Sequence, residues 1–299
     1  MKKKKLSSFD IAVYIIMIFI LFITIYPLYF TVIASFSDSK AVASGDVVWK
    51  PVKFTIEAYR HVFTYKDIWR GYGNSLIYTV AGTLFNLFLT IPAAYALSKK
   101  YLPGRGFIMT LFLITMYFGG GMVPRYLLMR DMGLLNTRVT LIIMSGLSVY
   151  YLIVTRVYFS SSISNTLYEA AEIDGAGEFR RFFGIALPLS KPIIAVMTLY
   201  FAVWRWNDYY NAMIYTSDKA LEPLQSVLRR VLILNQSALN EDMMQNLSAE
   251  ALAAKLERAN LAYTMKYAVV FIASAPLLAA YPFVQKHFVK GVMIGALKE

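Results

Sequence analysis

Six apolar runs of roughly twenty residues constrain this chain more than any other feature. A helix rises about 1.5 Å per residue, so about 20 apolar residues cover a hydrocarbon core ~30 Å thick. The runs lie near Ile11–Ala34, Asn74–Leu97, Phe107–Leu128, Val139–Tyr158, Ile193–Tyr215 and Met265–Gln285. Of the 299 residues, 58% are hydrophobic and only 16% charged, against about 25% charged in soluble domains. The expected fold is therefore an all-α polytopic membrane protein, a single domain over residues 1–299.

The basic residues orient the runs. Lys2–Lys5 precede the first run, Lys99, Lys100 and Arg105 join the second to the third, Arg156, Arg180, Arg181 and Lys191 join the fourth to the fifth, and Lys286, Lys290 and Lys298 follow the sixth. With six spans these flanks share one side, and lysine and arginine mark the cytoplasmic side. Both termini are thus expected in the cytoplasm. The net charge of +12 is read as this bias, and no nucleic-acid partner is expected. The first run exceeds the apolar region of a signal peptide and no small-x-small cleavage site follows it, so it reads as a retained span. Two longer segments fall on the outer side, residues 36–73 and 216–264. The first contains "WKPVKFTIEAY", which suggests an extended piece leading into a short helix. In the second, Leu224, Val227, Leu228, Val231 and Leu232 recur as one apolar helix face, suited either to an outer cap or docking surface or to lying on the membrane.

Few residues offer chemistry. Cysteine is absent, His61 and His287 are far apart, and there is no GxxxxGK[S/T] phosphate cradle. No catalytic residue and no metal site are expected. Arg205 and Asp208 stand three apart in the fifth run and suggest a pair on one helix face. Around them Trp206, Asn207, Asp208, Tyr209, Tyr210 and Asn211 combine amides with aromatic faces, suited either to lining a sugar pathway or to an interfacial aromatic belt. Asn74, Asn86 and Thr90 are weaker polar candidates in the second run. Gly119–Gly121 with Pro124 predict a bend in or near the third, and Pro92, Pro276 and Pro282 predict kinks.

The cytoplasmic connection 165–190 is more than a tether. Thr166 followed by Glu169 predicts a capping box, with Leu167, Ala170 and Ala171 as a narrow apolar stripe. Gly175 and Gly177 predict a turn or stop. Phe179, Phe182, Phe183 and Ala186 predict a second short helix before Pro188 blocks its continuation and Pro192 starts the next span. Such a knob suits either a protein cleft or the headgroup layer.

The fixed spacing, "EAA", three residues, Gly, nine residues, "I-x-LP", resembles the cytoplasmic coupling loop of the membrane subunits of bacterial ATP-binding cassette importers. The stretches "GGGMVPRYLLMRDMGLLNTR", "IALPLSKPIIAVMTLY", "WNDYYNAMIY" and "GDVVWKPVKFTIEAY" are similar to the carbohydrate-uptake branch, especially its complex-oligosaccharide permeases. The resemblance implies a bacterial plasma-membrane subunit of the type I importer fold, with six transmembrane helices and a coupling-helix loop. It implies that Glu169, Ala170, Ala171 and Gly175 form a docking helix and its turn for a cytoplasmic ATPase, and that Ile185, Leu187 and Pro188 fix the exit into the fifth span. Asp174, beside the turn glycine, either contacts the ATPase cleft or caps the helix, and Glu169 either docks or caps. The implied partners are a homologous second permease, two ATPase subunits carrying ATP and Mg, an extracytoplasmic substrate-binding protein and a carbohydrate, with no cofactor in this chain. The tail "VKGVMIGALKE" either reaches the ATPase interface or only flanks the membrane. The competing class is an ion-coupled secondary transporter acting alone. That class shows repeated halves and midplane carboxylates, whereas here Asp208 is the one obvious intramembrane carboxylate and no internal repeat is clear.

Overall fold

A computed structural model describes residues 7–237, 250, 256, 257, 259–261 and 263–279, and among the described residues there are helices and no strands. The helices are α1 (Ser8–Ser35), α2 (Ser39–Ala43), α3 (Glu57–Thr64), α4 (Lys66–Ser98), α5 (Arg105–Tyr117), α6 (Met122–Asp131), α7 (Arg138–Ile143), α8 (Val149–Ser162), α9 (Asn165–Ile173), α10 (Glu178–Arg181), α11 (Leu187–Leu189), α12 (Lys191–Trp206), α13 (Tyr210–Tyr215), α14 (Leu224–Ser237) and α15 (Ala259–Ala279). A π turn, Phe182–Ala186, joins α10 to α11. The end of the sixth run, residues 280–285, the tail 289–299 and much of the outer segment beyond Ser237 lie outside the described residues.

The chain divides into two compact units, Met1–Trp69 with Val227–Ala275, and Arg70–Ser226 with Pro276–Glu299. In the first, α1 opens on a capping box. The Ser7 hydroxyl accepts from Phe9 N–H, and Ser7 N–H donates to Asp10 Oδ2 at 2.9 Å. Only its last turn is buried, where Ile33 and Ala34 pack with Ala41, Val42 and Val47. The rest of its side chains stand exposed or half-exposed, as an apolar helix facing lipid requires. The extended piece before a short helix is present, as residues 44–56 leading into α3, with one further turn, α2, capped by Asp38. The apolar face of α14 is also present, since Leu224, Val227 and Leu228 are buried.

In the second unit α4, apart from its first turn, packs through Ile91, Ala94 and Tyr95 into a core with Met109 of α5, Leu152 and Phe159 of α8, Tyr168 of α9, and Phe182 and Ala186 of the π turn. Helix α4 begins at Lys66, eight residues before the run predicted from Asn74; the stretch ahead of that run carries Gly71 and Gly73, which weaken a helix, but no proline to stop one.

Three of the predicted runs are not single helices. The third, 107–128, is α5 and α6 bent by 109° across Phe118–Gly121; the triple glycine makes the break, with Gly121 at φ +86°. The fourth, 139–158, is interrupted at Met144–Ser148, where Ser145 takes φ +55°. The fifth, 193–215, stops at Trp206 and restarts at Tyr210. Helices α1, α4 and α15 are each long and apolar enough to cross a membrane. Taking α5 with α6, and Glu178–Leu189 with α12 (bent by 77°), as one crossing each raises the number to five among the described residues.

Candidate functional site

The loop 165–190 is built from a helix start, a glycine stop and a buried underside. Helix α9 begins two residues earlier than the capping-box pattern predicts. Ser164 is extended and its hydroxyl accepts from Thr166 N–H at 3.3 Å, so Ser164 is the cap and Thr166 is already inside the helix. Glu169 then lies a full turn past the cap and does not close the helix start; its side chain is exposed. The helix ends in a Schellman motif. Ala176 N–H donates to Ala171 O at 2.8 Å and Gly175 N–H to Glu172 O at 3.0 Å, with Asp174 as the C-cap and Gly175 at φ +74°. The left-handed conformation is what requires glycine at 175. Ala170 is exposed and Ala171 half-exposed, so the small-residue face of α9 is open, while Tyr168 on the other side is buried. Ile173 and Phe179 project outward, at 88% and 82% exposure. The predicted aromatic face therefore splits, with Phe182 and Ala186 inside and Phe179 and Phe183 outside.

Ile185 and Leu187 are half-buried against the core, and Pro188 is exposed. In the π turn just before the proline, Leu187 N–H reaches back five residues to Phe182 O. Widening the turn there eases the contact between a proline ring and the carbonyl four residues earlier. The chain bends at Ser190, and α12 starts with Pro192 in its first turn.

Beneath the loop is a polar network that pattern reading missed. Arg181 is buried and grips two carboxylates, Glu172 Oε2 at 2.9 Å and Glu178 Oε1 at 2.8 Å. Glu178 also accepts from the Tyr95 hydroxyl at 3.2 Å and from the Tyr101 hydroxyl. Lys99 Nζ sits 2.9 Å from the centre of the Tyr168 ring and 4.5 Å from that of Tyr95. Burial lowers the Lys99 ammonium to about 8, against the pull of Glu178. Burial and, less strongly, Glu178 raise the Tyr168 phenol to about 12, and burial with the Glu178 hydrogen bond does the same for Tyr101. Two cavities flank the network. One, of about 260 Å³, is walled by Pro92, Leu102, Phe179 and Phe182; the other, of about 290 Å³, is mixed in character and includes Lys100, Arg105, Phe159, Asn165 and Glu169. These partners lie 77 and 83 residues from Glu178, and no local spacing connects them.

The second candidate cluster lies at the α12–α13 break. Arg205 and Asp208 do not form the ion pair expected of them. Arg205 points away, donating from Nε to Asn86 Oδ1 at 3.0 Å and from its two terminal nitrogens to Leu141 O and Ile142 O at 2.8 Å each. Those carbonyls close α7, whose helix stops before they can find a partner in the next turn. Asn86 completes the arrangement by donating to Ser145 O and Gly146 O at 3.0 and 2.7 Å. The buried guanidinium thus satisfies the backbone freed by the interruption of the fourth run, the condition for irregular chain at membrane depth. Gly82 makes room, since a Cβ there would meet Arg205 Nε at 2.6 Å.

Asp208 instead accepts from Asn211, at 3.1 Å from its N–H and 2.6 Å from its amide, and so starts α13. Asn207 ends α12 by donating to Val203 O at 2.8 Å. Trp206 is buried, its ring 5.5 Å from Tyr72, while Asn207, Tyr209 and Tyr210 are exposed. Of the weaker candidates, Asn74 donates to Ala220 O and Glu222 O, and Thr90 is buried in α4. Among the described residues no group of three or more acidic, histidine or cysteine side chains is placed to hold a metal ion.

Comparison with known proteins agrees with this architecture. A solved structure, described as a bacterial ABC transporter involved in the import of the acidic polysaccharide alginate, superposes with a TM-score of 0.83 at 32% identity, covering 96% of this chain and 100% of that one. Protein LplC of Bacillus subtilis (strain 168) is 41% identical over 277 residues, 92% of this chain and 90% of the relative. The polygalacturonan/rhamnogalacturonan transport system permease protein YtcP of the same organism is 36% identical over 290 residues, 97% of this chain and 98% of the relative. Residues 68–294 match the family described as binding-protein-dependent transport system inner membrane component. The helical architecture, the apolar helices and these likenesses together establish that the chain belongs to the family of inner membrane components of binding-protein-dependent transport systems.

Proposed function

We propose that this chain is a transmembrane subunit of an ATP-driven carbohydrate importer and forms half of the translocation pathway for an oligosaccharide. It crosses the membrane six times with both termini in the cytoplasm. It pairs with a homologous permease, receives sugar from an extracytoplasmic binding protein, and rests on two ATPase subunits that hold ATP and Mg. The observation that carries this reading is the loop 165–190, with α9 open on its Glu169–Ala170–Ala171 side and rooted on its other side through Tyr168, Phe182 and Ala186 in the core of α4, α5 and α8. A docking helix needs one free face to meet a partner and one fixed face to pass load to the spans. The relatives named for polysaccharide transport support carbohydrate as the cargo.

In this reading Glu169, Ala170 and Ala171 meet the ATPase, Asp174 and Gly175 set the turn, and Ile185, Leu187 and Pro188 direct the chain into α12. Closure of the ATPase pair on ATP displaces α9. The exposed Asn207, Tyr209 and Tyr210, with Asp208 and Asn211 behind them, offer hydrogen bonds and ring faces to passing sugar, and Trp206 supports them from inside.

Reconstitution of the chain with its partner subunits in vesicles tests the reading, using alginate and polygalacturonan oligosaccharides as cargo. Uptake that requires ATP and the binding protein is expected. Uptake by this polypeptide alone on an ion gradient would replace the reading with a secondary transporter. A narrower test is Gly175→Pro. Proline cannot adopt φ +74° and lacks the N–H that Gly175 donates to Glu172. We expect normal membrane insertion and loss of ATPase assembly or transport.

A further inference from the structure

The docking loop contains a joint. Gly175 and Gly177 separate α9 from α10, and a Cβ at either position would meet nothing within 4 Å. Little packing holds the angle between α9 and α10 at these glycines, so displacement of α9 that is not carried by Tyr168, packed against Tyr95 of α4, is taken up there. Arg181 bridges the joint. It holds Glu172, before the glycines, and Glu178, after them, at 2.9 and 2.8 Å. Glu178 in turn accepts from Tyr95 in α4 and from Tyr101 just beyond its end. Three chain segments therefore meet at one guanidinium–carboxylate node.

The node contributes little to burial. Its carboxylate side chains are 67% and 45% exposed, and only Arg181, at 10%, is withdrawn from solvent. Ion pairs with such exposed partners are screened and add little to stability. What the geometry provides is direction, because paired charge-assisted bonds fix the orientation of the planar guanidinium.

We propose that Arg181 and Glu178 are positioning residues that fasten the ATPase-docking helix α9 to the cytoplasmic end of α4, so that displacement of α9 moves α4 instead of flexing the Gly175–Gly177 joint. This rests on the importer reading above. Without the node the ATPases still dock and hydrolyse ATP, but less of the stroke reaches the membrane helices.

The test uses the full complex in vesicles, with alginate and polygalacturonan oligosaccharides as cargo and with spin labels at the exposed Ile173 and Leu84. In the unmutated complex the label distance is expected to stay the same with and without ATP, because α9 and α4 move together. In Arg181→Gln the ATPase should still assemble, uptake per ATP should fall by about tenfold, and ATP should change the label distance. Arg181→Lys should recover part of the loss. Tyr101→Phe, which removes one hydroxyl and changes no shape, should give a smaller loss in the same direction, and it decides the matter if Arg181→Gln fails to insert. Unchanged uptake per ATP and an ATP-invariant label distance in both Arg181→Gln and Tyr101→Phe would overturn the proposal while leaving the importer reading intact. An unmutated complex that recruits no ATPase and transports neither sugar with ATP overturns both.

Discussion

Arg181 and Arg205 are both buried, at 8% and 3% exposure, yet they are satisfied in opposite ways. Arg181 bonds to side chains, two carboxylates on separate short helices that reach water on their far sides. Arg205 bonds to two backbone carbonyls and to the Asn86 amide, all in the packed interior. Side-chain partners can be released one at a time and return to solvent; backbone partners cannot leave without unravelling α7. The first arrangement suits a connection that carries motion, and the second suits a fixed brace.

Breaking the brace should have the largest effect. Arg205→Ala leaves Leu141 O, Ile142 O and Asn86 Oδ1 without donors inside the fold, and a loss of ~3 kcal/mol is expected. Thermal unfolding in detergent measures it, with a distinctly smaller shift expected for Arg181→Gln. Equal shifts for the two variants would erase the distinction between brace and connection.

Gly82→Ala comes next. Its methyl would press on Arg205 Nε, which is pinned and cannot swing away. Overpacking of this kind costs about 1–3 kcal/mol, again visible in the melting temperature. An unchanged melting temperature would mean that Arg205 is less tightly held than its three hydrogen bonds imply.

The smallest effect concerns pH at the loop. The Lys99 ammonium titrates near 8 in the folded chain against 10.5 for a free lysine. Between those values the unfolded chain binds more protons, so stability should rise with pH from about 8. Tyr101 and Tyr168, raised to about 12, act in the opposite sense once unfolded tyrosine begins to ionise near 10. The readable window is therefore pH 8 to 10. Melting temperatures there should climb in the unmutated chain and climb less in Lys99→Met.

The comparison also marks what the sequence discloses. The apolar runs made the helical membrane fold legible. The EAA spacing located the loop, and Gly175 announced its stop because a single residue type carries the backbone requirement. The triple glycine announced the bend after α5 for the same reason. Neither arginine was legible. A three-residue spacing on a helix points Arg205 to Asp208, but its partners lie 119, 64 and 63 residues away. The interruption at Met144–Ser148 carries no proline to announce it. The Ser145–Gly146 pair there is a weak turn signal, and Asn86 and Arg205 take up the carbonyls that the break exposes, a tertiary cause that no local pattern shows. Thr166 failed as a cap for a smaller reason: Ser164, two residues earlier, offers the same hydroxyl on an extended backbone.

The π turn at Phe182–Ala186 sets an angular phase. One extra residue in a turn rotates everything beyond it by about 100° relative to an uninterrupted α-helix. In that rotated setting Leu187 is half-buried while Leu189 is exposed. Deleting one residue from Phe182–Ala186 would thus act as a shortening rather than a twist. The turn would close as an ordinary α turn, Leu187 would keep its place against the core that also receives Ile185, and the angular phase of the loop's exit would be preserved.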